Sequence, residues 1–370
     1  AYCNALTKLS MNTPYRPTTT DKELGFVVAA LGNDELTYEK KHEFNFGVDA
    51  GFFNNRLNVT FDVYQRRNFD EIAPTVTQLY GTAYANVGSM KSWGEELSIS
   101  STNIKTQDFS WQTSLIYSHN RTEITDLYNQ GRVIDLVQGN GFAKQGYPAR
   151  ALFSIPFVGI NEKGYPVCIN EKGQATVGNL NFQERDNTDY LIYEGSTDPV
   201  YNGSLGNTFN YKGFHLNVFL TYAFGNVVRL DPAFSAKYND LTSMTHDFKN
   251  RWMQPGDENV TNVPGVVSRY EYEQNSTLLA TAYNAYNYTS VRTAKGDFIR
   301  LKEISLAYDF PHRWFEKSPV NNISLKLQAT NLMLLYADKK LNGQDPEFMN
   351  AGGVASPMPK QFTLTLKLGL

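Results

Sequence analysis

Five histidines, His42, His119, His215, His246 and His312, are the first groups to weigh, since imidazole can bind a metal or carry a proton near neutral pH. They are scattered, and none falls with Cys or a carboxylate at metal-ligand spacing. No G-x-S-x-G elbow and no Walker loop occurs. Glu95-Glu96 is a carboxylate pair, but neighbours on a strand face opposite sides, which unsuits them for shared acid/base work. The run Asp186-Asn187-Thr188-Asp189 offers oxygen ligands for calcium through Asp186 and Asp189. It lacks the glycine and final Glu of a known calcium loop, so a solvated polar turn is the plainer reading. The residues therefore point to no catalytic group, no resident metal and no cofactor. What remains is recognition by aromatic rings in the long connections: Tyr84, Trp252, Tyr270, Tyr272, Tyr283, Tyr286 and Tyr288. Ring faces stack on sugars and pack on peptide side chains, and Tyr and Trp favour protein interfaces, so these are candidate contacts to substrate or to a lid protein. The bland alternative is an interfacial girdle or loop self-packing.

The elements that would hold these rings are strands. The terminal QFTLTLKLGL places Phe362, Leu364, Leu366, Leu368 and Leu370 on one parity and Thr363, Thr365, Lys367 and Gly369 on the other. The same alternation marks 38–51 and 56–66, joined by a turn at Asn54-Asn55, then 92–101, 109–120, 201–211, 213–225, 298–310 and 321–333. Less regular strands are expected at 151–159, weakened by Pro156, and in the segment after Gly164. Residues 68–91 read as a long polar loop. Within 226–296, the stretch FSAKYNDLTSMTHDFKNRWMQPGDENV reads as a helix ending before Pro255-Gly256. That makes eleven strands of roughly the 9–11 residues that cross a tilted bilayer.

Composition agrees. Charged residues are 19% and aromatics 14%, with 23 Tyr and 23 Phe, while mean hydropathy is only -0.43. No run of eighteen apolar residues exists for a spanning helix, whereas a barrel strand needs only every second residue apolar. A net charge of -3 argues against a nucleic-acid ligand. Cys3 and Cys168 are too few for a disulfide framework. The start, AYCNALTKLS, has no charged segment before an apolar one, so a secreted precursor is expected to have carried sequence upstream.

Connections near 54, 105, 161, 212 and 315 are short, and those near 80, 135, 190, 260 and 345 are long. Outer-membrane barrels have short periplasmic turns and long outer loops. The pattern places the C-terminus in the periplasm, residues 1–37 in an extracellular loop segment and 38–370 in the wall. A soluble surface adhesin or binding protein would not need this regularity, and an outer-membrane barrel enzyme would need a rim constellation that is missing.

Several segments resemble the C-terminal part of the SusC/RagA family of TonB-linked outer-membrane proteins. They are LGNDELTYEKKHEFNFGVDAGFFNNRLNVTFDVYQRRNFD (31–70), NVGSMKSWGEELSIS (86–100), NTFNYKGFHLNVFLTYAFGNVVRL (207–230), RWMQPGD (251–257), GDFIRLKEISLAYDFP (296–311), LQATNLMLL (327–335) and PKQFTLTLKLGL (359–370). The order is the family's and nearly the whole chain is covered. Leu370 departs from it, where such strands usually end in an aromatic residue. The resemblance implies an all-β transmembrane antiparallel barrel of 22 strands around an N-terminal plug, with this chain as about half the wall. The other barrel half and the plug would come from another chain or fragment, because open strand edges cannot be left in lipid. It further implies import of an oligosaccharide or peptide, a SusD-like surface lipoprotein as lid, and the TonB complex acting through the plug.

Overall fold

The computed structural model describes residues 7–12, 25–30, 32–33, 35–77, 81–238, 241, 243–316, 319–349 and 358–369. Cys3 and Leu370 lie outside the described residues. The chain begins with a small hairpin, β1 (Lys8–Asn12) against β2 (Gly25–Ala30), in a region where the sequence shows no convincing alternation. Four wall strands follow: β3 (Lys40–Phe52), β4 (Leu57–Thr77), β5 (Gly81–Lys105) and β6 (Phe109–Leu127). An excursion over 128–200 carries α1 (Val133–Val137) and the short strands β7 (Ala151–Ser154), β8 (Phe157–Ile160), β9 (Pro166–Ile169), β10 (Ala175–Thr176) and β11 (Ile192–Ser196). The wall resumes with β12 (Tyr201–Tyr211) and β13 (Phe214–Phe224). A second excursion holds β14 (Val227–Arg229), α2 (Arg269–Gln274), α3 (Ser276–Asn287) and β15 (Thr293–Lys295). The last wall strands are β16 (Phe298–Asp309), β17 (Asn322–Ala337) and β18 (Gln361–Gly369).

Nine strands form one antiparallel sheet in the order β18-β17-β16-β13-β12-β6-β5-β4-β3. Each joins its sequence neighbour among the wall strands, so the sheet is an up-and-down meander with β3 and β18 at its edges. One parity is apolar across the sheet: Ala50, Val59, Ile99, Leu115, Leu205 and Leu220 stand side by side on six successive strands. Leu216, Leu306, Leu327 and Leu364 continue it to the other edge. The opposite parity is mostly polar, running Asp49, Thr60, Ser98, Ile116, Ser204, Thr221 and Arg300. Phe362, Leu364, Leu366 and Leu368 are each more than half exposed. A continuous apolar face of this extent is untenable in water, and lipid is the solvent that stabilises it. The fold is thus the all-β transmembrane wall the sequence implies, seen as part of a barrel.

The strand count differs from expectation, nine instead of eleven. Segment 151–159 and the segment after Gly164 do not cross with the wall. They pair locally as β7 with β11 and as β8, β9 and β10. Ala151–Ser154 is buried on both faces, so the run is apolar because it is interior, and Pro156 breaks it before a span could form. The short connection near 161 is accordingly a turn inside the excursion, closed by Gly164 N–H to Asn161 O at 2.8 Å, and not a turn at the short-loop end.

Residues 68–77 and 81–91, read as loop, are strand. β4 continues to Thr77 and β5 starts at Gly81, past bulges at Asn68/Glu71 and Ser89/Met90. Strand beyond the hydrocarbon needs no apolar face, so it leaves no alternation to read. Asn331 sits at φ 54° as a bulge inside β17. The tight turns come out as read: Asn54 and Asn55 at φ 55° and 62°, and Lys212-Gly213 at 45° and 87°. Corrected in this way, short turns at 53–56, 106–108, 212–213 and 310–321 lie at one end of the sheet. The described residues of the two excursions and segment 338–349 lie at the other.

Candidate functional site: the long-loop layer

The two excursions pack into a layer of their own at the long-loop end. Its first core joins Val133, Leu136 and Val137 of α1 to Phe153, Ile155, Cys168, Leu191 and Ala285. Its second joins Phe234, Ala236 and Val267 to Leu279, Ala282, Tyr283 and Tyr286. The latter four are spaced i, i+3, i+4, i+7 along α3, so one helical face closes the layer. The expected helix within 234–260 is absent from its described residues, which hold only 3-10 turns at His246–Asn250 and Asp257–Asn259. The helices come later because Ser268 caps α2, accepting from Glu271 N–H at 3.2 Å, and because STLLATAYNAYN carries the helical stripe.

Buried polar groups bind the layer together. Arg229 is 5% exposed and donates to Val137 O (3.2 Å), Thr289 O (2.8 Å), Phe153 O (2.6 Å) and Ser154 Oγ (3.0 Å). One guanidinium therefore ties β14 to α1, β7 and the end of α3. Burial lowers its pKa to about 10, so it remains charged at neutral pH. Asn287 clips the backbone of Phe234 on both sides, accepting from its N–H at 3.1 Å and donating to its carbonyl at 2.8 Å. Arg300, on the polar parity of β16, reaches both Asp345 carboxylate oxygens and Glu347 at 2.6 Å, fastening the 338–360 connection to the wall.

Among the cavities of this layer, two are bordered by the aromatic candidates of the long connections. The first, about 230 Å³, is lined by Phe234, Tyr238, Met244, Phe248, Val266 and Tyr283. Tyr238 and Phe248 stack with centroids 5.5 Å apart and planes 12° from parallel. The second, about 400 Å³, lies between Asn161, Lys163, Tyr165, Tyr270, Glu271 and Leu278. Burial, aided by Glu271, pushes the Tyr165 phenol up to about 12, and burial raises Tyr283, so both rings present neutral hydroxyls.

The aromatic candidates from the sequence separate. Tyr283 lies at the floor of the first cavity, 2% exposed, with its hydroxyl bonded to Gly265 O. Tyr270 is 74% exposed beside the second cavity. Tyr272 packs against the second core from α2. Trp252 is half-buried: its ring lies on Gly164 and Gly265, and its Nε1 donates to Glu258 Oε2 at 3.0 Å. Tyr84 is exposed on β5, its carbonyl accepting from Asn33 Nδ2 at 3.0 Å, and it lines neither cavity. Tyr286 is core, and Tyr288 caps α3. Sequence reasoning missed Phe234, Tyr238, Met244 and Phe248, which lie in the stretch assigned to a helix. The cluster of rings within fifteen residues was the available signal.

Other chemistry finds no home. Asp189 is held by Lys144 at 3.0 Å, so a cation beside it would face an ammonium group. Among the described residues no three His, Cys, Asp or Glu side chains converge on a metal position. Glu95 pairs with His119 at 3.6 Å on the outward parity, while Glu96 faces Asp62 on the other. Cys168 is buried in the first core, which pushes its thiol up to about 12 and leaves it unreactive.

Comparison with known proteins agrees with this architecture. The model of the TonB dependent receptor-like, beta-barrel family matches residues 9–236. The chain is 27% identical to TonB-dependent receptor SusC of Bacteroides thetaiotaomicron over 91% of its length and 32% of that protein. It is 26% identical to TonB-dependent receptor P39 of Formosa agariphila over 90% of its length and 35% of that protein. The chain thus spans about a third of the length of these curated relatives. The solved structure of the RagAB peptide transporter superposes with a TM-score of 0.75 at 24% identity, covering 99% of this chain and 38% of that one. These relatives are receptors and transporters of the outer membrane, not enzymes. An antiparallel wall with one apolar and one polar face, a loop layer at one end only, and the family match over most of the chain lead to one assignment: the chain belongs to the TonB-dependent receptor-like β-barrel family, in its SusC/RagA branch.

Proposed function

We propose that the chain forms the C-terminal wall and outer-loop layer of an active importer that brings a large nutrient, an oligosaccharide or peptide, across the outer membrane. The observation that carries this reading is the built loop layer. A passive pore needs no buried arginine and no aromatic cavity, whereas a device that captures a ligand before passage needs a preformed rim. The long-loop end faces the exterior, together with residues 1–37, and the C-terminus lies in the periplasm. A plug and the rest of the barrel, on another polypeptide or another part of the same one, complete the edges at β3 and β18, and TonB acts through the plug. A SusD-like lipoprotein covers the loop layer. Tyr270 and Tyr272 stand where such a lid or its cargo would touch. Tyr283 supports the first cavity from beneath, and Tyr84 and Trp252 contribute by shaping the rim.

The test is uptake of labelled oligosaccharides and peptides by cells with and without TonB, and with and without the lid lipoprotein. Accumulation that depends on both is expected. Uptake that survives loss of TonB would refute the proposal.

A further inference from the structure

The apolar parity ends differently on two parts of the wall. Toward the long-loop end of β12, β13 and β17 it finishes in rings, among them Tyr201, Phe224 and Tyr336, the last two 6.4 Å apart between centroids. On β3 to β6 it finishes in basic side chains and one acid, Glu123. His42 stands opposite Arg67, Arg67 opposite Lys91, and Trp93 opposite Arg121, all on the parity of Phe44, Phe61 and Leu97. The bulges of β4 and β5 lie beyond these pairs, so no register slip moves them to the other face.

Lys91 is matched by Glu123 at 2.9 Å and lies 5.6 Å from the Trp93 ring centre. Arg67 and Arg121 are exposed and make no ion pair among the described residues. Glu95, the nearest acid toward the apolar band, is engaged by His119 and Tyr117. Two guanidinium groups outside any ion pair among the described residues thus flank an indole at the border of a hydrocarbon-facing surface. That is the level of lipid headgroups, where Trp is favoured and where the planar fork of Arg matches a phosphate. Arg67 and Arg121 lie two strands apart, about 10 Å across the sheet, which suits two phosphates better than one.

We propose that the outward face of β3 to β6 above the apolar band, centred on Arg67, Lys91, Trp93 and Arg121, is a docking surface for phosphate headgroups of net negative charge in the leaflet at the long-loop end. The surface holds anionic lipid against one sector of the wall and leaves the aromatic sector to neutral lipid. It acts independently of what the transporter carries.

The experiment is native mass spectrometry of the full-length protein released from micelles holding equal amounts of phosphatidylglycerol and phosphatidylcholine. The wild type is compared with the double variant Arg67→Gln/Arg121→Gln and with Arg66→Gln, which lies on the opposite parity. Heat-modifiable migration verifies that each variant is folded. Preferential retention of phosphatidylglycerol is expected in the wild type and in Arg66→Gln. It should fall on the order of tenfold in the double variant, as expected for two lost cations at a charged surface. Unchanged retention in the folded double variant, or an equal loss in Arg66→Gln, overturns the proposal. Displacement of the lipid by millimolar inorganic phosphate also overturns it, marking a site for free anions instead.

Discussion

Replacing Arg229 by Met keeps most of the side-chain volume and removes every donor. Four hydrogen bonds from a charged group disappear, leaving three carbonyls and the Ser154 hydroxyl short of a partner inside the layer. Bonds to a charged group are worth roughly 1.5–3 kcal/mol net, and orphaned buried acceptors cost roughly 1–3 kcal/mol each. The terms overlap, and relief of a buried charge offsets part of them. A loss of about 3 kcal/mol in the stability of the layer is the reasonable sum, or roughly a hundredfold in its opening equilibrium. Hydrogen exchange of the full-length protein in detergent reads this directly. Amides of 133–137, 151–155 and 285–292 should exchange about a hundredfold faster than in wild type, in line with that estimate, while β4 to β6 keep their protection. Arg229→Lys should recover part of it, since one ammonium reaches only some of the acceptors. Protection in Arg229→Met within a few-fold of wild type, or a loss spread evenly through the wall, would refute the claim that this residue is the layer's tie.

Four further outcomes follow from the same coordinates. Ile99→Arg, on the apolar parity, should destabilise the folded barrel by about 2–4 kcal/mol in vesicles, whereas its neighbour Ser98→Arg should cost far less; urea titration of heat-modifiable migration compares them. Asn287→Ala deprives the Phe234 N–H and carbonyl of their partners and should loosen the second core by about 2–3 kcal/mol, read as faster proteolysis within 233–287. Tyr238→Ala with Phe248→Ala should weaken uptake by raising KM about tenfold with little change in the maximal rate, as expected for a lost aromatic contact; an unchanged KM would exclude the first cavity from capture. Bonds from Trp252 Nε1 and Gly256 N–H hold the Glu258 carboxyl below its usual range. Its contribution is therefore fully present above the ordinary Glu pKa and is lost as pH falls through the lowered folded value. Trp252 emission, isolated by difference from Trp252→Phe, should change only in that acidic window and not between pH 6 and 8.

The wall was legible from the residues because alternation is a local property. Whether Phe362, Leu364, Leu366 and Leu368 share a face depends only on their spacing, and lipid rewards that spacing whatever the partner strand. The same holds for the Asn54-Asn55 and Lys212-Gly213 turns, whose backbone needs left-handed residues at fixed places. Misreadings fell where no membrane imposes a period. Segment 151–153 is apolar because the loop layer buries it on every side, and 68–77 and 81–91 are strand whose apolar residues do not alternate.

The loop layer was decided by tertiary structure. The acceptors of Arg229 lie 92, 60 and 76 residues away, and Asn287 clips a backbone segment 53 residues distant. A sequence shows that an arginine, an asparagine and several rings exist in long connections. It cannot show which carbonyls meet the arginine, or that Tyr286 turns inward and Trp252 lies on two distant glycines while Tyr238 and Phe248 wall a cavity, because those outcomes are set by contacts between segments that share no local pattern.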